Sequence, residues 1–149
     1  MPIGINVKVD GEDRVLRRID KISKLPSNLQ PIYKEWAGLL RREWNDNFSN
    51  QGAYGGNWSP LKYKKPKKYE GNPIGVNSGE MKAAVTGGAG AVTDISNTKM
   101  EIGVDMLKAV IFHRGKYNQE SRKIITLNNT TKNRLMQTLR LWINREMNR

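Results

Sequence analysis

With 149 residues, 37% of them hydrophobic, the chain fits one domain spanning 1–149 and can bury a modest core. It has no cysteine and one histidine, His113, which excludes a disulfide framework, thiolate chemistry and the usual His/Cys zinc sites, so no metal or other cofactor is expected. The net charge of +12 favours a polyanion or an acidic protein surface as partner, and no apolar run reaches the roughly 18–20 residues that span a bilayer.

The charge excess grows along the chain, from +2 over residues 1–50 to +3 over 51–113 and +7 over 114–149. Met1-Pro2-Ile3-Gly4 shows neither a basic n-region nor an apolar h-region, so the chain is expected to stay in a cytoplasm-like compartment.

In chain order, Ile3, Ile5, Val7 and Val9 alternate with Gly4, Asn6, Lys8 and Asp10, the period of a half-buried strand, which Gly11 ends. Glu12 to Leu25 then set Val15, Leu16, Ile19, Ile22 and Leu25 at helical spacing, with Arg17, Arg18, Asp20 and Lys21 facing out, until Pro26 stops the run. Ser27 or Asn28 can cap the next helix, the longest, whose apolar face runs through Leu29, Ile32, Tyr33, Trp36, Leu39, Leu40, Trp44 and Phe48. From Asn50 to Val76 the chain is rich in Gly, Asn, Lys, Pro and Tyr without a sustained period, which predicts an extended basic loop of the kind that is functional or disordered.

Beyond the loop, Asn77 or Ser78 caps a short helix through Glu80, Met81 and Ala84, and Gly87-Gly88-Ala89-Gly90 makes a turn. Val92, Asp94 and Ser96 then pair with Met100, Ile102 and Val104 in a hairpin joined at Asn97-Thr98. Leu107 to Phe112 lead as helix or strand into His113-Arg114-Gly115-Lys116. A terminal helix beginning near Asn129 or Thr130 carries Leu135, Leu139, Trp142, Ile143 and Met147 on one face. The class this order predicts is α+β, a small antiparallel sheet packed by the long helix and the C-terminal helix, with one long loop.

Catalytic chemistry finds little footing. His113 has no Ser or Cys partner with a local signature, Asp94, Glu101 and Asp105 read as polar-face residues of a hairpin rather than a Mg²⁺ site, and the glycine turn lacks the Lys-Ser/Thr of a phosphate loop. The chain is therefore not expected to be an enzyme. Trp36, Trp44 and Trp142 fall on apolar helix faces and belong to the core, but Trp58 has no periodic context. It sits in Gly55-Gly56-Asn57-Trp58-Ser59-Pro60-Leu61, just ahead of Lys62, Lys64, Lys65, Lys67 and Lys68, with Tyr63 and Tyr69 bracketing the lysines. Rings between cations can stack bases while ammonium groups track phosphates, so sequence-independent nucleic-acid binding is one reading of this loop. A loop laid across an acidic protein surface is the other.

Taken together, Gly56-Asn57-Trp58-Ser59-Pro60-Leu61, Asn77-Ser78-Gly79-Glu80-Met81, Ile102-Gly103-Val104 and Ala109-Val110-Ile111-Phe112-His113-Arg114-Gly115, following an aromatic-rich helix that ends at Phe48, resemble the tail-completion or virion-morphogenesis proteins of tailed bacteriophages. Ser78-Gly79-Glu80-Met81 stands where that family has Thr-Gly-x-Leu, and Phe112-His113-Arg114-Gly115 is a shortened form of its Ala-x-Ile-His-x-x-Gly segment. The resemblance implies a structural virion protein of the neck, made in the host bacterial cytoplasm. It implies a sixfold or twelvefold ring between portal-side or head-completion proteins and tail-tube or tail-terminator proteins, around the channel that DNA traverses.

On this reading Trp58, Pro60, Leu61, Tyr63, Tyr69 and His113 are interface residues, and Lys62, Lys64, Lys65, Lys67 and Lys68 meet DNA or an acidic surface. Trp58 is expected to anchor the loop on a neighbour, so that Trp58→Ala leaves the fold intact.

Overall fold

A computed structural model of the protein describes residues 12–24, 28–53, 56–62, 64–115 and 120–149. The strand expected at Ile3 to Val9, the residues Leu25 to Ser27, Gly55 and Lys116, and the candidate Tyr63 lie outside the described residues.

The described residues form an α+β fold of helices α1 (Glu12–Lys24), α2 (Gln30–Ser49), α3 (Glu80–Thr86), α4 (Leu107–Arg114) and α5 (Asn129–Met147) with two antiparallel pairs. One pair joins β1 (Gly52–Ala53) to β2 (Gly56–Asn57), and the other joins β3 (Ala91–Ile95) to β4 (Met100–Val104). No helix among the described residues is long and apolar enough to cross a membrane.

Helix α2 is the axis. Ile32, Leu40, Trp44 and Phe48 recur at multiples of four residues and are all buried, which is the stripe its sequence predicts. Its first turn takes Pro31, whose missing N–H would have no intrahelical partner there, and the Asn28 Oδ1 accepts from the Gln30 N–H at 3.3 Å. Helix α5 starts where expected, at an Asn128 cap whose Oδ1 accepts the Thr131 N–H at 2.8 Å, and it buries Thr131, Leu135 and Trp142. The two helices run antiparallel: the Trp36 indole N–H donates to Thr138 Oγ1 at 2.7 Å, while Trp44, further along α2, donates to the Thr126 carbonyl just ahead of α5 at 2.9 Å.

The β3–β4 hairpin turns at Asn97-Thr98 as expected, and its register sets Ala91, Thr93 and Ile95 opposite Val104, Ile102 and Met100, and Asp94 opposite Glu101. Two carboxylates facing each other across a ladder repel, and Lys99 in the connection offsets this by reaching Asp94 at 3.2 Å and Glu101 at 2.9 Å. The hairpin is tied to α2 and α3 by Arg41. Its guanidinium donates to the carbonyls of Val85, Val92 and Gly103 at 2.5, 2.8 and 3.1 Å, so the end of α3 and both strands share one donor. The Leu107 to Phe112 run resolves as helix, α4, ended by Gly115 in the left-handed region.

Three findings depart from the sequence reading. The loop from Asn50 to Val76 is not an extended arm: it folds back through β1–β2 and a 3₁₀ turn at Lys67–Tyr69 onto the end of α2. Gly52 makes that fold-back possible, because a Cβ there would lie 2.1 Å from the Gly56 carbonyl oxygen. Gln51 fastens it, its Nε2 donating to the carbonyls of Phe48 and Ile74 at 2.7 and 3.1 Å.

A second departure is residues 120–127, to which the sequence reading assigned no element. Arg122, Ile124 and Thr126 are buried in alternation with exposed Ser121, Lys123 and Leu127, the period of an extended strap.

Helix α1 is the third. Val15, Leu16 and Ile19, its predicted inner face, are 56%, 54% and 55% exposed. Its basic side instead meets α5, where the Lys21 ammonium donates to the Met147 carbonyl at 2.7 Å, a cation at the negative end of a helix dipole.

Candidate functional site

The residues that the sequence singles out around Trp58 come together at the end of α2, but not in the way it suggests. Trp58 is 8% exposed and packs between two other aromatics, with ring centroids 5.5 Å from Phe48 and 5.3 Å from Phe112, both near-perpendicular. Its indole N–H donates to the Lys123 carbonyl at 3.1 Å, so the polar edge of the ring is satisfied inside the fold. Trp58 thus belongs to the core cluster with Leu40, Trp44, Val85, Ala109, Ile124 and Leu135. This corrects the expectation of a projecting anchor. A tryptophan in an aperiodic segment looks exposed in sequence, but its neighbours come from α2 and α4.

The strap closes over this cluster. Arg122, 2% exposed, donates from Nε to the Ser59 carbonyl and from Nη2 to the Pro60 carbonyl, each at 3.0 Å, and from Nη1 to the Glu120 carbonyl at 3.2 Å. Its guanidinium carbon also lies 5.5 Å from the centroid of the Phe112 ring. Asn47 of α2 donates to the Ile124 carbonyl at 3.1 Å and to Thr126 Oγ1 at 3.0 Å. Glu43 accepts from the hydroxyls of Thr126 and Thr131. The Pro60 carbonyl therefore accepts from Arg122 while the residue itself is exposed, and the sequence missed Arg122, whose one visible signal was the alternation with Ile124 and Thr126.

His113 likewise has an internal role. It is half-buried at the end of α4, and its Nδ1 accepts the backbone N–H groups of Ile124 and Ile125 at 3.2 and 3.3 Å. Burial, then the Lys123 and Arg114 charges, lowers the imidazole pKa below its ordinary value. The neutral ring is the form that accepts these bonds.

The five lysines do not act as one stripe. Lys62 pairs with Glu120 at 3.0 Å on the surface, Lys68 lies over the Tyr69 ring at 4.7 Å, and Lys64 and Lys67 are exposed. Lys65 turns inward and donates to the carbonyls of Asn72 and Pro73 at 2.7 and 2.9 Å. Together with Leu61 and Tyr69 it lines a cavity of about 280 Å³ whose other walls include Glu80, Met81, Lys108, Ile111 and Phe112. Gly75, at φ +78°, lets the chain pass this lining, where a Cβ would meet Phe112, Met81 and Phe48 at 3.1–3.2 Å.

Of the carboxylates weighed for metal, Asp94 and Glu101 are bridged by Lys99, and among the described residues no group of three or more His, Cys, Asp or Glu side chains is placed to hold an ion. The glycine run from Gly87 to Gly90 closes α3, with the Gly88 N–H donating to the Ala83 carbonyl at 2.7 Å. Comparison of the chain with protein-family models, with curated proteins and with solved structures finds no match.

Two outcomes follow from this geometry. Trp58→Ala removes the centre of the aromatic cluster and is expected to lower unfolding free energy by about 3–5 kcal/mol, read from urea denaturation, with Trp58→Phe costing less. For His113, a group whose folded pKa is depressed contributes stability that is complete above the unfolded value of about 6.5 and is lost as pH falls from there through the folded value. The urea midpoint is expected to drop between about pH 7 and about pH 5, and the drop to shrink in His113→Gln.

Proposed function

We propose that this protein is a structural virion component of a tailed bacteriophage, acting at the neck where it forms a ring that joins the DNA-filled head to the tail. The observation that carries this reading is the apolar face of α1, which the described residues leave more than half exposed. Three large aliphatic side chains, each more than half exposed on one short helix, are costly on an isolated chain and favourable in an assembly. The ordered series of segments that resembles tail-completion proteins supports it further, because those segments contact one another. Trp58 packs on Phe112 and on the Phe48 that ends α2, while Met81 and Ile102 pack against the same cluster.

A fold of this size cannot enclose a DNA channel alone, whereas a cyclic array of head-to-tail contacts can. Such an array, sixfold or twelvefold, would meet portal-side or head-completion proteins on one face and tail-tube or tail-terminator proteins on the other. The protein's role on this reading is to hold other proteins together, with no catalytic centre of its own.

The second reading, sequence-independent binding of nucleic acid, draws on exposed Lys64, Lys67 and Lys68 and on α5, where Lys132, Arg134, Arg140 and Arg145 are exposed. The two separate in a phage carrying a stop codon in this gene. Electron microscopy of its lysates is expected to show DNA-filled heads apart from finished tails. Intact particles would contradict the neck assignment.

A further inference from the structure

The basic loop borders a cavity rather than presenting an anchor. With Trp58 turned inward, what the loop offers outward is the cavity between Leu61, Tyr69 and the α4 face formed by Ile111 and Phe112. At about 280 Å³ it falls just under the roughly 300–1,000 Å³ of sites for drug-sized ligands, and it matches a single large side chain.

Its lining sets apolar Leu61, Met81, Ile111 and Phe112 beside two cations, Lys65 and Lys108, and one acid, Glu80. Lys65 spends two of its three N–H donors on backbone carbonyls, and Lys108 lies 3.8 Å from Glu80 with its side chain 78% exposed. Lys64, Lys67 and Lys68 are exposed and adjoin the lining residues Lys65 and Tyr69 in sequence, with Glu70 the neighbouring acid.

We infer that this cavity is a docking site for an acidic segment of a partner protein, which inserts one aromatic or long aliphatic side chain against Phe112, Ile111 and Met81 while its flanking carboxylates meet Lys65, Lys108 and the loop lysines. Charge selects this occupant. An apolar pocket set in a positive field favours an apolar anchor between acids, and a second copy of a chain with net charge +12 is repelled at the same face. The energetics follow the usual division of an interface, in which one anchor in a desolvated pocket supplies most of the affinity and the charged rim supplies encounter rate and selectivity. The inference rests on the assembly reading above and specifies the chemistry of one partner, so the closing experiment uses the isolated protein and is independent of particle morphology.

The test is a selection of displayed random peptides of roughly 12 residues on the immobilised full chain, followed by titration of the synthesised winners at physiological salt. The expected winners carry Phe, Tyr, Trp, Leu or Met flanked by Asp or Glu. Their affinity should fall about tenfold or more in Leu61→Ser and in Lys108→Glu, and equally when the peptide's apolar residue becomes Ser, while Lys132→Glu on α5 leaves it unchanged. Lys108 is exposed, so that variant keeps the measurement decisive if Leu61→Ser fails to fold. Absence of enriched peptides, winners indifferent to both substitutions, or equal loss in Lys132→Glu would overturn the proposal. Oligo-thymidylate that binds more tightly than any winner and loses affinity in Lys108→Glu would assign the cavity to nucleic acid instead.

Discussion

The perpendicular contact of Trp58 with Phe48 and Phe112 is the interaction on which the other parts depend. It brings the end of α2, the loop and α4 to one point, and the Lys123 carbonyl that accepts the Trp58 indole N–H adds the strap. Each edge-to-face pair contributes on the order of 0.5–1.5 kcal/mol beyond the area it buries, so the cluster has both a large apolar content and a preferred geometry. Arg122 then acts as its outer bracket, bonding the carbonyls of Ser59 and Pro60 while lying over Phe112. A buried guanidinium is tolerable here because three carbonyls and a ring face replace its water, and its charge also acts on the Glu120 carboxylate.

Periodicity made much of the fold legible. The four-residue spacing from Ile32 to Phe48, the alternation on either side of Asn97-Thr98 and the Asn128 cap each report a local constraint, and each element stands close to where that constraint places it. What stayed hidden depends on partners distant in the chain. Nothing local to Trp58 distinguishes a core indole from an exposed one, and Arg122 reads as a surface cation until the carbonyls it bonds are in view. The spacing of Val15, Leu16 and Ile19 identifies an apolar face on α1, but not whether this chain or another covers it.

The candidate site was legible in composition and misleading in detail. Leu61, Tyr69 and Lys65 do line one cavity, as their adjacency suggests. The roles differ: Trp58, Pro60 and His113 hold the strap and the loop together, Lys65 bonds the carbonyls of Asn72 and Pro73, and the apolar lining comes from Met81, Ile111 and Phe112, which sequence reasoning did not name as site residues.

The central claim is that Trp58 is an internal support of the loop, and hydrogen exchange of the indole N–H groups followed by NMR tests it most directly. Trp58 and Trp44 both donate to backbone carbonyls from buried positions, so both indole protons are expected to exchange only through large-scale opening, with comparable protection. A Trp58 indole proton that exchanges at the rate of a free indole while that of Trp44 stays protected would contradict the account and return Trp58 to the surface.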